Sequence, residues 1–99
     1  MKVSFLEVAA NELDDAINYY ESEQSGLGTR FRKEVERAVS RITEYPSAYQ
    51  PLSQRTRRCL IPKFPYGIIF QHNQKENELL VIAVANLHRE PEYWYSRAP

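Results

Sequence analysis

The sequence predicts an α+β domain in the order β-α-α-β-β-β, a helical hairpin packed on one face of a small, mostly antiparallel four-stranded sheet. Three observations carry that prediction. Apolar residues repeat with helical spacing twice between residues 7 and 45, on either side of a "GLG" tripeptide. Three strand-like runs follow between residues 56 and 87, separated by proline-rich or polar breaks. A further alternating run opens the chain. The 99 residues make a single domain, 1–99, with room for one modest core.

"KVSFL" (2–6) sets Val3 and Phe5 against polar Lys2 and Ser4, the period of a half-buried strand. "SFLE" also matches a capping box that would start a helix at Phe5; the strand is preferred because Val3 and Phe5 otherwise lack a partner. From 7 to 25, Leu13, Ala16, Ile17 and Tyr20 form one helical stripe with acids opposite. Gly26 stops that helix, since glycine tolerates positive φ. The second helix, 28 to 45, carries the stripe Phe31, Val35, Ala38, Val39 and Ile42, with Arg30–Glu34 and Arg32–Glu36 spaced as i,i+4 pairs. So short a connection makes the two helices antiparallel, and Pro46 ends the second.

"PSAYQPLSQR" (46–55) has no periodicity and is predicted as loop. The later strands are "TRRCLI" (56–61), "YGIIFQH" (66–72) and "LLVIAVANL" (79–87), joined by "PKFP" and "NQKENE", connections that suit antiparallel neighbours. The last of them is apolar on both faces, as an interior strand covered on both sides would be.

Composition excludes several classes. Cys59 is the only cysteine, so it is expected to be an inert core thiol, with no internal disulfide and no cysteine-based metal site. No His/Asp/Cys spacing suggests a metal, and no cofactor or small-molecule substrate is expected. The longest apolar run, Leu79 to Ala85, is too short to cross a bilayer, and "MKVSFLEVAANELDD" lacks a cleavable apolar region. A cytoplasmic protein is expected. Formal net charge is zero, which argues against tight non-specific nucleic-acid binding. Charge is nevertheless segregated. Residues 7 to 24 hold Glu7, Glu12, Asp14, Asp15, Glu21 and Glu23 without a cation, while 54 to 63 hold Arg55, Arg57, Arg58 and Lys63 without an acid.

Two helices cover only one sheet face. The other side of "LLVIAVAN", with Tyr49, Phe64, Tyr93, Trp94 and Tyr95, needs a second cover. The C-terminal tail is expected to supply part of it and a partner chain the rest.

"GLGTRFRKEVERAVSRITEYP", "FPYGIIF" and "VIAVANLHREPEYWYSR", in that order and preceded by "LDDAINYYE", resemble the RelE/ParE superfamily of toxins from bacterial type II toxin–antitoxin modules. The hairpin "YYE…GLG…F", the "FPY" strand start and the terminal "H-R-x-P-x-Y-W" are similar to the ParE-like, plasmid-stabilisation branch. The resemblance implies a β-α-α-β-β-β domain encoded beside a small antitoxin, part of which folds on the toxin and neutralises it.

RelE-like members cleave mRNA on the ribosome, whereas ParE-like members typically inhibit DNA gyrase. Metal-free RNA cleavage needs a base, an acid and cations for the phosphorane charge. The resemblance expects an arginine after the tyrosine of the third strand, where this chain has Gly67. Of the alternating lysines expected on the second strand, Arg58 fills one place and Leu60 occupies the next. Where the fourth strand should end in another arginine stand Leu87 and His88. The candidate catalytic set is therefore Arg58, His88, Arg89 and Tyr93. Each has a structural reading. His88 follows a strand and suits a loop hydrogen bond, and Arg89 suits a pair with Glu90, Glu92 or an acid of the first helix. Arg57 and Arg58 point to opposite faces, and Tyr93 and Trp94 suit anchoring of the tail. His72 reads as a solvated turn residue.

The expected function is a toxin that binds and inhibits an essential target, gyrase, and is silenced by a cognate antitoxin. The residues expected to bind target or antitoxin are Arg55, Arg57, Arg58, Lys63, Tyr49, Phe64, Arg89 and Trp94. The alternatives are a ribosome-dependent mRNA endonuclease and a non-toxic, antitoxin-binding relic.

Overall fold

The computed structural model describes residues 1–97. In chain order it contains β1 (Lys2–Phe5), α1 (Glu7–Glu23), α2 (Leu27–Glu44), a 3-10 turn (Pro46–Ala48), β2 (Gln50–Pro51), β3 (Arg57–Leu60), β4 (Tyr66–Asn73) and β5 (Glu78–Asn86), and a last 3-10 turn, Tyr95–Arg97, closes the tail. The helices pack on one face of a sheet ordered β1-β5-β4-β3-β2, in which β1 runs parallel to β5 and the other pairs are antiparallel.

The sheet therefore has five strands, not four. The additional one, β2, lies in the expected loop and pairs Gln50 with Arg58 and Pro51 with Arg57. Two residues are too few to show a period, and a proline reads as a break. At the sheet edge its missing N–H removes no ladder bond. Helix α1 begins at Glu7, so the capping-box start at Phe5 does not occur.

The hairpin turn is held by Glu21, whose carboxylate accepts the N–H groups of Gly26 at 2.9 Å and Gly28 at 3.0 Å. A carboxylate from α1 thus satisfies donors that the start of α2 would leave orphaned. Gly26 adopts φ +89°, and a Cβ at Gly28 would lie 2.5 Å from the Ile17 carbonyl oxygen. Both glycines of "GLG" are required, one for backbone angle and the other for helix approach. On α2, Glu34 pairs with Arg37 rather than with Arg30.

Phe31, Val35, Ala38 and Ile42 of α2 and Ala9 and Ala16 of α1 bury against Cys59, Ile68, Phe70, Leu79, Val81 and Val84 of the sheet. Burial pushes the Cys59 thiol up, away from the reactive thiolate. Register explains how β5 serves two cores. Ile69 pairs with Ala83 and Phe70 with Val81, so Ile82 is the extra residue of a bulge. Val81 and Val84 consequently face the helices, while Ile82 and Ala83 join Ile69, Ala85 and Trp94 in a second cluster on the other side.

That second cluster is the part of the cover expected of the tail: Trp94 is 4% exposed, and Ile69, Ile82 and Ala83 are buried with it. One tryptophan spanning the narrow sheet, aided by Leu6, Leu52 and Tyr93, is enough. Leu60 at 54% and Leu87 at 43% exposure mark what it leaves open.

Gly28→Ala should cost about 2 kcal/mol, because the added methyl meets rigid backbone. Urea denaturation measures it, and an unchanged midpoint would show that the helices separate without penalty.

Candidate functional site

Strand β1 pairs with β5 only as far as Phe5 opposite Val81, after which the chain turns into α1. A central strand is thereby left with free edge groups at Ile82 and Val84. Glu12, in the second turn of α1, accepts the Val84 N–H at 3.1 Å, and the Arg97 guanidinium donates to the Ile82 carbonyl at 3.2 Å. The same two side chains are bound to each other by N–H···O contacts of 2.8 and 3.1 Å. Together they replace the missing strand.

The Tyr93 hydroxyl also donates to Glu12, at 2.6 Å. Arg89 lies 3.8 Å from Glu12 Oε2, the pairing with an acid of the first helix that the sequence allowed, and its guanidinium sits 3.8 Å from the Tyr93 ring centroid. Burial, reinforced by the Glu12 hydrogen bond and charge, raises the Tyr93 pKa far above the ordinary phenol value. The bond to Glu12 likewise holds Arg97 more firmly protonated. Tyr93 is therefore a neutral donor already committed to Glu12, not a base.

Beside this cluster, between the sheet and the tail, lies a cavity of about 210 Å³ whose lining includes Arg58, Ile69, Asn86, Arg89, Tyr93 and Trp94. Arg58 donates to Gln50 Oε1 at 3.0 Å, while its Nε is buried without a partner. Its stem fills the space above Gly67, where a Cβ would come within 3.2 Å of both Arg58 Cγ and Cδ. Glycine at that position admits the Arg58 stem from the neighbouring strand.

The structure brings Arg58, Arg89 and Tyr93 to this cavity but not His88, which is exposed and donates its backbone N–H to Asn86 Oδ1 at 2.9 Å. The expected binding residues are dispersed further. Arg57 points to the helix side of the sheet and donates to the Tyr49 carbonyl at 2.7 Å, and with Arg55 it lines a different cleft. Lys63 occupies an exposed turn at φ 69°. Phe64 packs edge-on against Tyr20 and Phe31 at 4.9 and 5.0 Å, Tyr49 against Phe70 at 6.1 Å, and Trp94 is interior. These three aromatic rings serve packing. Glu12 and Arg97 escaped notice because each reads in the sequence as one more solvated charge.

Among the described residues no His, Cys, Asp and Glu group of three or more could hold a metal ion, and no helix is long and apolar enough to cross a membrane. Residues 3–91 match the family model described as the ParE toxin of the type II toxin–antitoxin system parDE. The chain belongs to the ParE toxin family. Three solved structures share the fold of this ParE-family toxin. The chromosomal ParDE system of P. aeruginosa superposes with a TM-score of 0.63 at 14% identity, covering 89% of this chain and 97% of that one. The isolated RelE toxin of E. coli gives 0.68 at 17% identity, with coverages of 96% and 93%. RelE in complex with an antitoxin RelBc peptide gives 0.67 at 18% identity, covering 99% and 93%. Among curated proteins none matches.

Glu12→Ala should destabilise the ParE-family fold by about 3 kcal/mol, since it leaves a mostly buried guanidinium and a strand N–H without partners. Thermal melting tests this. The Tyr93 phenol is raised from 10.0, so its contribution is whole below pH 10 and is lost as pH rises through the raised value. Tyr93→Phe should lower stability near neutrality and flatten its alkaline decline; a decline as steep as in the parent protein would refute the assignment.

Proposed function

We propose that this type II toxin acts by binding and inhibiting DNA gyrase, and that a cognate antitoxin neutralises it. The observation that carries the reading is the state of the four residues that RNA cleavage would draw on. Tyr93 has its proton engaged by Glu12, His88 stands outside the cavity, Arg58 is tied to Gln50, and Arg89 lies against Glu12 and the Tyr93 ring. General acid–base cleavage needs a positioned donor and a free acceptor around one phosphate. Recognition needs neither.

The RelE structure with an antitoxin peptide supports an antitoxin that engages this chain through a short segment. Leu60 and Leu87, large, apolar and exposed at the free rim of the sheet, suit such a contact.

The second reading, a ribosome-dependent endonuclease, draws support from Arg58 and Arg89 lining one cavity. Purified protein should inhibit gyrase supercoiling at micromolar concentration in vitro, and primer extension on mRNA from induced cells should show no new ends. Unimpaired supercoiling removes the gyrase proposal. New cleavage ends, lost in a His88→Ala, Tyr93→Phe double variant that still folds, would establish the nuclease. Induction without growth arrest would favour the non-toxic relic.

A further inference from the structure

The hairpin sets a helix without cations beside a helix rich in them. Apart from Glu21, which serves the turn, α1 exposes Glu7, Asp14, Asp15 and Glu23 and contains no Lys or Arg. Helix α2 exposes Arg30, Arg32, Lys33, Arg37 and Arg41 against two exposed acids, Glu36 and Glu44. These opposite charges do not neutralise each other across the hairpin. Among the described residues no salt bridge joins α1 to α2: Arg37 pairs with Glu34 of its own helix, and Glu12 pairs with the tail. The four acids of α1, and Arg30, Arg32 and Lys33 of α2, belong to no ion pair within the described chain. The side of the hairpin away from the sheet is thus two adjacent strips of opposite sign.

The strips are also in step. Gly28 lies against Ile17 and Glu21, and antiparallel helices rise equally at about 1.5 Å per residue. That contact sets Asp14 level with Lys33, and Glu7 level with Ser40 and Arg41. We infer that this face is a self-complementary docking surface for a second copy of the chain. A two-fold axis running lengthwise along the hairpin lays α1 of each copy over α2 of the other and preserves those levels. Asp14 of one copy then meets Lys33 of the second, Glu7 meets Arg41, and both contacts recur across the axis. A two-fold axis across the hairpin would lay acids on acids and cations on cations. Complementary charge at an interface fixes orientation more than it adds affinity, and here it selects the lengthwise axis. A polyanion would suit α2 but be repelled by α1 beside it, and a cationic partner would meet the reverse. A second copy answers both strips. Of the described residues in the two helices only Val8 and Tyr19 are large, apolar and exposed, so the dimer is weak and depends on charge.

Sedimentation equilibrium tests this. At about 50 mM salt, where surface charges are little screened, the average mass should rise with concentration toward that of a dimer. At about 500 mM the dissociation constant should be at least roughly tenfold higher. A Lys33→Glu, Arg37→Glu variant makes both strips acidic, and an Asp14→Lys, Asp15→Lys variant makes both basic. Each should lose self-association while circular dichroism shows unchanged helices, since the altered side chains are exposed. The neutral pair Lys33→Gln, Arg37→Gln should weaken the parent dimer without adding repulsion. Mixed in equal amounts, the two charge-reversed variants should form a heterodimer, because each offers the strip the other lacks. A Lys63→Glu, Lys75→Glu variant carries the same net charge as the first but keeps its α2 strip, and mixed with the basic variant it should not restore association. A parent that stays monomeric at low salt overturns the inference, and polyglutamate binding through Lys33 and Arg37 would then assign the cationic strip to an acidic partner. A dimer indifferent to salt overturns it too, as does a mixture no tighter than that with the Lys63, Lys75 control. Neither gyrase nor antitoxin enters the measurement, so this inference and the proposed function fail separately.

Discussion

The tertiary structure turns on a carboxylate that substitutes for a strand. Where β1 leaves the sheet, the edge of β5 would face either solvent or the tail with an open donor and acceptor. Glu12 and Arg97 close both and bind each other while doing so. A buried polar group without a partner costs about 1–3 kcal/mol, so this pair is what permits the central strand to outrun its neighbour. It also fixes the direction of the tail. With Arg97 held at the edge of β5 and Tyr93 at Glu12, Trp94 between them has the helix-free face to cover.

The β5 bulge is the other half of that arrangement. Ordinary alternation would give each sheet face every second residue of β5. The extra residue Ile82 puts two consecutive side chains, Ile82 and Ala83, under Trp94 and leaves Val81 and Val84 both facing the helices. A chain this small therefore fills two cores with one strand. The cost to function is that the tail-side residues nearest the candidate cavity are partly structural. Tyr93 and Arg89 cannot be reassigned to chemistry without loosening the clasp that holds the tail.

Local rules made the elements legible. The stripes Leu13, Ala16, Ile17, Tyr20 and Phe31, Val35, Ala38, Ile42 bury as their spacing requires, and Gly26 has the positive φ expected of it. Arg57 and Arg58 point to opposite faces because strand alternation allows nothing else. Strand β2 was hidden by its brevity and its proline. The tail was expected to cover part of the second face, but how far it reaches depends on where it folds back, and nothing in "REPEYWYSR" encodes the distance to Ile82. Glu12 illustrates the wider limit. Six acids lie between residues 7 and 24, and only three-dimensional contact distinguishes the one that meets a strand N–H, a phenol and two guanidinium groups.

Segregated charge acquires a different meaning once the acids are located. Glu12 is consumed by the tail clasp and Glu21 by the helix turn, so part of the acidic helix is internal architecture rather than a surface. The cations divide as well. Arg58, Arg89 and Arg97 gather toward the tail, where a carboxylate or an amide answers each of them. Arg55, Arg57 and Lys75 gather around a cleft that no acid lines. Formal neutrality of the chain thus combines an end where acids answer the cations with an end whose cleft lining is cationic. Long-range attraction depends on how charge is distributed over the surface a partner meets first, and the cationic cleft lies away from the residues a nuclease would use.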